Sequence, residues 1–317
     1  MTSRIIGMGE TVMDILFHRQ EGGSPDGRSP YVPFAAVPGG STFNSLISVG
    51  RSGVPCLFMG YTGNNRVGQE IADFLRENDI STEYFQMRED ERAALSLAYL
   101  DINGDADYTF YKEEPLAAAC GYSLPEFTDM DYMLYGSYYS VCRGLRPQVK
   151  DTLEAAHRAG TVIYYDVNLR KSHQHQLDEL MPRIMENCAL STIVRGSADD
   201  FRVLFDCTDP EEIYRRHIAA LCPVFICTAG AGHIIICTPT AIHDFDVPLL
   251  PREEIVSTVG AGDSFNAGFL CAMHSRGIRR RDIPGMDREG WEALVARGTE
   301  YASQVCRSRD NYIARRR

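Results

Sequence analysis

Residues 257–269 read Ser-Thr-Val-Gly-Ala-Gly-Asp-Ser-Phe-Asn-Ala-Gly-Phe, a turn of small residues that runs straight into an apolar helical pattern over residues 263–274. Glycines at 260 and 262 let backbone amides converge on an anion, and the start of the helix adds positive dipole character. Asp263 falls in the first turn, facing the same space. A carboxylate would repel a phosphate that it had only to bind, but it suits a general base that takes a proton from an attacking hydroxyl. Read locally, the same residues are equally a tight turn with Asp263 as a helix cap. The rest of the chain decides between the two.

Outward from this stretch, short β-rich runs alternate with amphipathic helical runs. Strands are expected at 4–9, 56–61, 132–135, 161–166, 192–194 and 224–228, and helices at 42–52, 68–78, 147–159, 198–205 and 210–221. That alternation predicts an α/β fold, with a mostly parallel central sheet covered by helices on both faces. From residue 224 the pattern changes: 224–228, 233–238 and 241–247 are consecutive strands with short turns, so this edge is expected to be antiparallel. Residues 15–37 and 95–112 stand outside the alternation. The first surrounds the loop EGGSPDGRSP, and the second reads as a hairpin, SLAYLDI and YTFYK about NGDAD. Together they predict a small β-sheet lid on a single domain over residues 1–317, where a lid would exclude water from a reaction. Decorated surface loops are the alternative.

With 317 residues, 44% hydrophobic and 24% charged, the composition supports a packed core. A formal net charge of −11 argues against binding a nucleic-acid backbone. The arginine runs at 279–281 and 315–317 read as a solvated helix end and a frayed tail. No apolar run reaches the roughly 18 to 20 residues that span a bilayer, and no targeting segment is visible at the start. The ten cysteines form no C-x-x-C pair and read as buried thiols of a cytoplasmic protein rather than a zinc site. Residues 6–10 hold only G-M-G, without the third glycine of a dinucleotide fingerprint, and no G-K-[ST] phosphate loop occurs.

With its flanks, 257–269 resembles the C-terminal signature of the ribokinase-like (PfkB) carbohydrate kinases. Residues 38–60, PGGSTFNSLISVGRSGVPCLFMG, resemble the N-terminal one. GMGETVMD (7–14), GNNRVG (63–68), YDVNLR (165–170) and TAGAG (228–232) extend the likeness over nearly the whole chain. The resemblance implies an ATP-dependent kinase that phosphorylates a hydroxymethyl group of a monosaccharide or sugar acid. Asp263 would be the base, with Gly260, Ala261 and Gly262 the anion hole. It implies sugar contacts at Asp14, Gly39, Gly40 and Asn44. Asn168 and Arg170 would join them at a strand's carboxyl end, and Lys112 at the lid's edge is either a contact or a solvated strand end. Thr228, Gly230 and Gly232 would approach ATP, with adenine lying toward the helix at 291–306 and the loop at 308–312.

RGSADD (195–200) stands where the family carries N-x-x-E, an element that organises Mg2+ and its waters. Ser197 and Asp200 keep the spacing; an N-cap serine with a first-turn aspartate is an equally good local reading. Ser257 replaces the aspartate that commonly opens the signature, which implies a weak or absent site for an activating monovalent cation. The implied partners are a sugar and ATP, with no nucleic acid, no membrane, and a homodimer through lid residues such as Phe34, Tyr108 and Phe110. The D-V-N-L-R element and the Y-K lid end lean toward fructokinase or 2-keto-3-deoxygluconate kinase types rather than nucleoside kinases. The competing function is a catalytically reduced sugar-binding or regulatory protein of the same fold, against which the intact G-A-G-D argues.

Overall fold

The computed structural model describes residues 3–17, 34–100, 106–112, 122–169, 171–229 and 232–315. In chain order its strands are β1 (Ile5–Met8), β2 (Val12–Phe17), β3 (Phe34–Gly39), β4 (Cys56–Gly63), β5 (Ile80–Ser81), β6 (Phe85–Arg88), β7 (Leu95–Leu100), β8 (Ala106–Tyr111), β9 (Tyr132–Gly136), β10 (Val162–Asp166), β11 (Ile193–Ser197), β12 (Val224–Thr228), β13 (His233–Cys237) and β14 (Ile242–Asp246). The helices are α1 (Ser41–Arg51), α2 (Arg66–Glu77), α3 (Arg146–Arg158), α4 (Leu177–Leu190), α5 (Ala198–Phe205), α6 (Pro210–Ile213), α7 (Ala261–Ser275) and α8 (Arg288–Cys306).

A ten-stranded sheet runs in the order β14-β13-β12-β11-β10-β9-β1-β4-β5, with β6 also on β4. Every pair from β12 to β5 is parallel, and β12-β13-β14 is antiparallel, as the run of consecutive strands predicted. Strands β1, β9 and β10 are buried along their whole length, as parallel strands covered on both faces must be. On one face lie α1, α2, α7 and α8, around Phe43, Leu46, Ile71, Phe269 and Trp291. On the other lie α3, α4 and α5, around Val149, Leu153, Ile184 and Phe201.

The second half of the 257–269 motif is structural. α7 is buried from Ser264 to Met273 and lies against α8. A Cβ on Gly268 would come within 2.4 Å of the Arg297 carbonyl oxygen, so only glycine lets the two helices approach this closely.

The separate four-stranded sheet has the order β3-β2-β7-β8. It is mixed rather than purely antiparallel, because β2 runs parallel to β7. The stretch GMGETVMD (7–14) is divided between the two sheets. β1 ends at Met8, the chain leaves the main sheet, and Asp14 belongs to β2 of the small sheet. The helix α4 went unread in the sequence. Residues 210–221 form the short α6 followed by a π-helical stretch, Tyr214–Ile218, in place of one continuous α-helix. Among the described residues no helix is long and apolar enough to cross a membrane.

Candidate active site

α7 begins immediately after Gly260, whose φ of 80° is left-handed and whose missing Cβ leaves room for the Asn311 carbonyl oxygen 2.5 Å away. The Ala261 amide donates to the Thr258 carbonyl oxygen at 3.2 Å; the next first-turn amides, those of Gly262 and Asp263, have no helical carbonyl four residues back and are directed at whatever lies before the helix. The Asp263 carboxylate accepts from Ser41 Oγ at 2.8 Å and from Asn44 Nδ2 at 3.0 Å. Both donors come from α1, whose first residue, Ser41, follows the left-handed Gly40 (φ 123°). Ser45 Oγ ties the two helices by donating to the Asp263 carbonyl oxygen at 2.8 Å. Asn168 Nδ2 donates to Ser41 Oγ at 2.8 Å from a φ of 35°, a conformation that asparagine tolerates. The carboxylate is therefore oriented by a chain of hydrogen bonds running Asn168 to Ser41 to Asp263.

A cavity of about 410 Å³ opens at this carboxylate, lined by Asp14, Gly40, Asn44, Lys112, Asn168, Asp200, Gly260 and Gly262 among others. The small sheet supplies one wall through Asp14 on β2 and Phe110 on β8. Asp14 is buried and accepts a hydrogen bond from Ser96 Oγ. Gly39 lies behind it: a Cβ there would meet Asp14 Oδ2 at 2.3 Å, so its role is to make room for the carboxylate. The Asn44 side-chain oxygen is buried and has no partner among the described residues. Lys112 is paired with Glu10 at 3.2 Å.

A second cavity of about 530 Å³ lies on the other side of the α7 N-terminus. Its lining is mainly apolar, from Ile234, Val247, Leu249, Phe265, Ala302 and Cys306, with Thr228 and Ser197 at the inner end. The two cavities share Arg195, Ser197 and Gly262. Arg195, which sequence reasoning missed, is only 6% exposed. It forms an ion pair with Asp166 at 3.0 Å and donates to Thr228 Oγ1 at 2.9 Å. Burial opposes its charge, but Asp166 and Tyr164 more than offset that, so its pKa is raised and it stays cationic.

Ser197 caps α5, and Asp200 completes a reciprocal capping box. Asp200 Oδ2 accepts from the Ser197 amide at 2.7 Å and the Ser197 hydroxyl at 2.6 Å, while Oδ1 accepts from the Leu169 amide at 3.0 Å. Burial raises the Asp200 pKa, and the Ser197 hydrogen bonds oppose the rise. The local capping reading of RGSADD thus holds. It leaves Oδ1 one lone pair, enough for a single further contact and too few for chelation.

Most residues singled out in the sequence converge here. Gly232 does not: it has a φ of 145°, lines neither cavity, and accepts a hydrogen bond from the Val247 amide at 2.7 Å. Arg170, Gly230, the loop EGGSPDGRSP and the first three residues of the turn NGDAD lie outside the described residues, as does the side chain of Tyr108. Ser41 was also missed, and its bond to Asp263 spans 222 residues.

A crossover α/β sheet with a small second sheet over its carboxyl edge, and a helix N-terminus between two cavities, define the fold class of the ribokinase-like kinases. The sequence pattern of the pfkB family carbohydrate kinases matches residues 5–314, and the chain belongs to that family. It is a carbohydrate kinase, hence a phosphotransferase. It is 30% identical over 247 residues to the aminoimidazole riboside kinase of Salmonella typhimurium, covering 75% of this chain and 74% of that one. It is 23% identical over 315 residues to the fructokinase of Escherichia coli, covering 94% and 95%. The fold superposes on aminoimidazole riboside kinase from Salmonella enterica, solved with aminoimidazole riboside and an ATP analogue, with a TM-score of 0.80, 19% identity and coverage of 98% and 97%. A fructokinase double mutant from Vibrio cholerae O395, with fructose, ADP and potassium bound, gives 0.81, 18%, 98% and 94%.

Proposed function

We propose that this chain transfers the γ-phosphoryl group of ATP to a hydroxymethyl group of a sugar or sugar acid, with Asp263 as general base. The observation that carries the reading is the Asp263 carboxylate, fixed by Ser41 and Asn44 at the mouth of the helix that separates the two cavities. The acceptor would lie in the 410 Å³ cavity. Asp14 would take hydrogen bonds from its hydroxyls, and the unpaired Asn44 Oδ1 would accept another. Gly40, Asn168, Lys112 and, through the resemblance alone, Arg170 complete that set, with Gly39 acting through Asp14.

Asp263 would take the hydroxyl proton as the oxygen attacks phosphorus and the bond to the ADP oxygen breaks. Charge developing on the phosphoryl oxygens would meet the amides around Gly260, Ala261 and Gly262, and Arg195 beside them. The apolar cavity suits adenine, with Thr228 and Ser197 toward the phosphates; Gly230 and Gly232 join the ATP contacts through the resemblance alone. Mg2+ would neutralise phosphate charge when bound. Asp200 fits it through a water, since one lone pair remains and magnesium keeps several waters. The small sheet acts as the lid of a single domain in this reading. Its exposed Phe34 and Tyr111, 59% and 60% accessible, would form a homodimer contact, which light scattering of the purified protein tests.

The direct experiment is ADP formation with ATP and Mg2+ against a panel of sugars, sugar acids and ribosides. Turnover that depends on one acceptor supports the reading. A protein that binds a member of the panel without consuming ATP would be the non-catalytic sugar-binding form of this fold.

A further inference from the structure

The 410 Å³ cavity has two ends. At the Asp263 end it shares Arg195, Ser197 and Gly262 with the apolar cavity. At the other it shares Glu10, Thr11, Ala94 and Lys112 with a third cavity of about 190 Å³. An acceptor whose reacting hydroxyl meets Asp263 therefore extends toward Glu10 and Lys112. Among the described residues lining this cavity the carboxylates are Glu10, Asp14, Asp200 and Asp263, and the cations are Lys112 and Arg195. Arg195 is held by Asp166 at 3.0 Å, at the other end. Arg92 is exposed and lines the third cavity, beside Glu91, rather than this one. Lys112 is thus the cation that the far end of an acceptor meets.

Glu10 is built onto that lysine. It lies where the chain passes from β1 to β2, and its two oxygens are divided between two parts of the fold. Oε2 pairs with Lys112 Nζ at 3.2 Å, at the end of the small sheet. Oε1 accepts from Ser137 Oγ at 3.3 Å, in the turn after β9 of the main sheet. Ser137 holds φ 56° and ψ −170°, a region otherwise left to glycine. Its amide donates to the Asp166 carbonyl oxygen at 3.1 Å, and its carbonyl oxygen accepts from Ser140 Oγ at 2.8 Å, so both sides of the strained residue are fixed. A glycine would adopt this backbone without strain but would offer no hydroxyl to Glu10. Strain retained at a cavity wall, for a bond to a carboxylate that is also paired with a lysine, points to a selected arrangement.

We infer that Glu10 is a specificity-determining residue that acts through Lys112: held by Ser137, it neutralises the lysine and keeps an acceptor carboxylate out of this end of the cavity. This rests on the kinase reading above. An incoming carboxylate would have to displace Glu10 from Lys112 and then lie beside it, like charge against like. A hydroxyl can donate to Glu10 and accept from Lys112 with the pair intact.

The test compares kcat/KM, with ATP and Mg2+, for fructose and 2-ketogluconate, which differ only in a hydroxymethyl group against a carboxylate at C1. The parent should favour fructose by roughly tenfold or more. Glu10→Gln, which keeps an oxygen for Lys112 or Ser137, should move the ratio toward the acid by about tenfold or more, and adding Lys112→Met should abolish that gain. Ser137→Ala, which keeps the backbone and removes the hydroxyl, should move it the same way by a smaller factor. A parent that uses both compounds equally, or a ratio that Glu10→Gln leaves unchanged, overturns the inference and leaves the kinase reading standing. If neither compound is phosphorylated by any of the proteins, the kinase reading fails for these acceptors, and calorimetric binding of the same pair decides the inference alone. A gain in 2-ketogluconate affinity on Glu10→Gln that Lys112→Met removes supports it; equal changes for both compounds, or no binding of either, overturn it.

Discussion

Replacing Asp263 by asparagine separates chemistry from folding, because the surroundings of this side chain tolerate the amide. The carboxylate accepts from Ser41 Oγ at 2.8 Å and from Asn44 Nδ2 at 3.0 Å. An asparagine can keep the bond from Asn44 through its carbonyl oxygen and offer its amide to Ser41 Oγ, whose own hydrogen turns away. Two charge-assisted bonds become two neutral ones, a loss of about 1 kcal/mol each, so about 2 kcal/mol is the ceiling for this half-buried site. In a chain of this size that lowers Tm by roughly 3 °C and leaves the protein folded. The base itself is worth about 10²–10⁴ in rate, or roughly 2.7–5.4 kcal/mol of barrier. Coupled ADP release, calorimetric melting and sugar binding without nucleotide read the three quantities separately. The expected result is a folded variant with sugar affinity within a few-fold of the parent and turnover down by about a hundredfold or more. Turnover within about threefold of the parent in that folded variant would refute the assignment, since no general base is that dispensable.

Gly260→Ala should cost more stability than a surface change of the same size. The left-handed φ of 80° adds about 1–2 kcal/mol of strain, and the new Cβ meets the Asn311 carbonyl oxygen at 2.5 Å. An unchanged melting temperature would contradict that geometry. Gly39→Ala forces a methyl to 2.3 Å from Asp14 Oδ2. A rise in sugar KM of roughly tenfold, about 1.4 kcal/mol of binding, is expected, and an unaltered KM would remove Asp14 from the acceptor site. Because Ser257 offers a hydroxyl where relatives offer a carboxylate, potassium should stimulate turnover little over a non-binding cation. Stimulation of about tenfold, equivalent to 1.4 kcal/mol, would show that the cation site survives the substitution.

The parts of this molecule legible in the sequence are those whose cause is local. The hairpin of β7 and β8 and the antiparallel run β12-β13-β14 each carry their period and turns within a few residues, and both formed as expected. β1 lies within the strand expected at 4–9, but β2 went unread, because no local pattern marks the exit from one sheet into another. Only the partners do so, β4 and β9 for the first and β3 and β7 for the second. α4 was obscured by Pro182, which reads as a helix breaker yet sits within the helix. In the site, Asp263, Asn44 and Asn168 stood out because their motifs surround them. Ser41 did not, since a serine at a helix start is ordinary until the fold brings Asp263 to it.

Arg195 is the clearest case of a residue whose meaning exists only in three dimensions. In the sequence it is only the first residue of RGSADD, after the strand expected at 192–194. In the fold it is held by Asp166, Thr228 and the face of Phe265, 5.8 Å away, where an unpaired guanidinium would be untenable. A Cβ placed on Gly262 would lie 3.2 Å from its guanidinium nitrogen, a tight contact that the arginine would have to ease by a few tenths of an ångström. Its Nε is buried without a partner among the described residues, and the side chain borders both cavities. Asp166 cancels much of its charge at long range, so it adds little to general attraction for anions. In the proposed reaction what remains is a rigid donor beside the α7 N-terminus, acting at short range on the charge that moves during transfer and requiring no reorganisation.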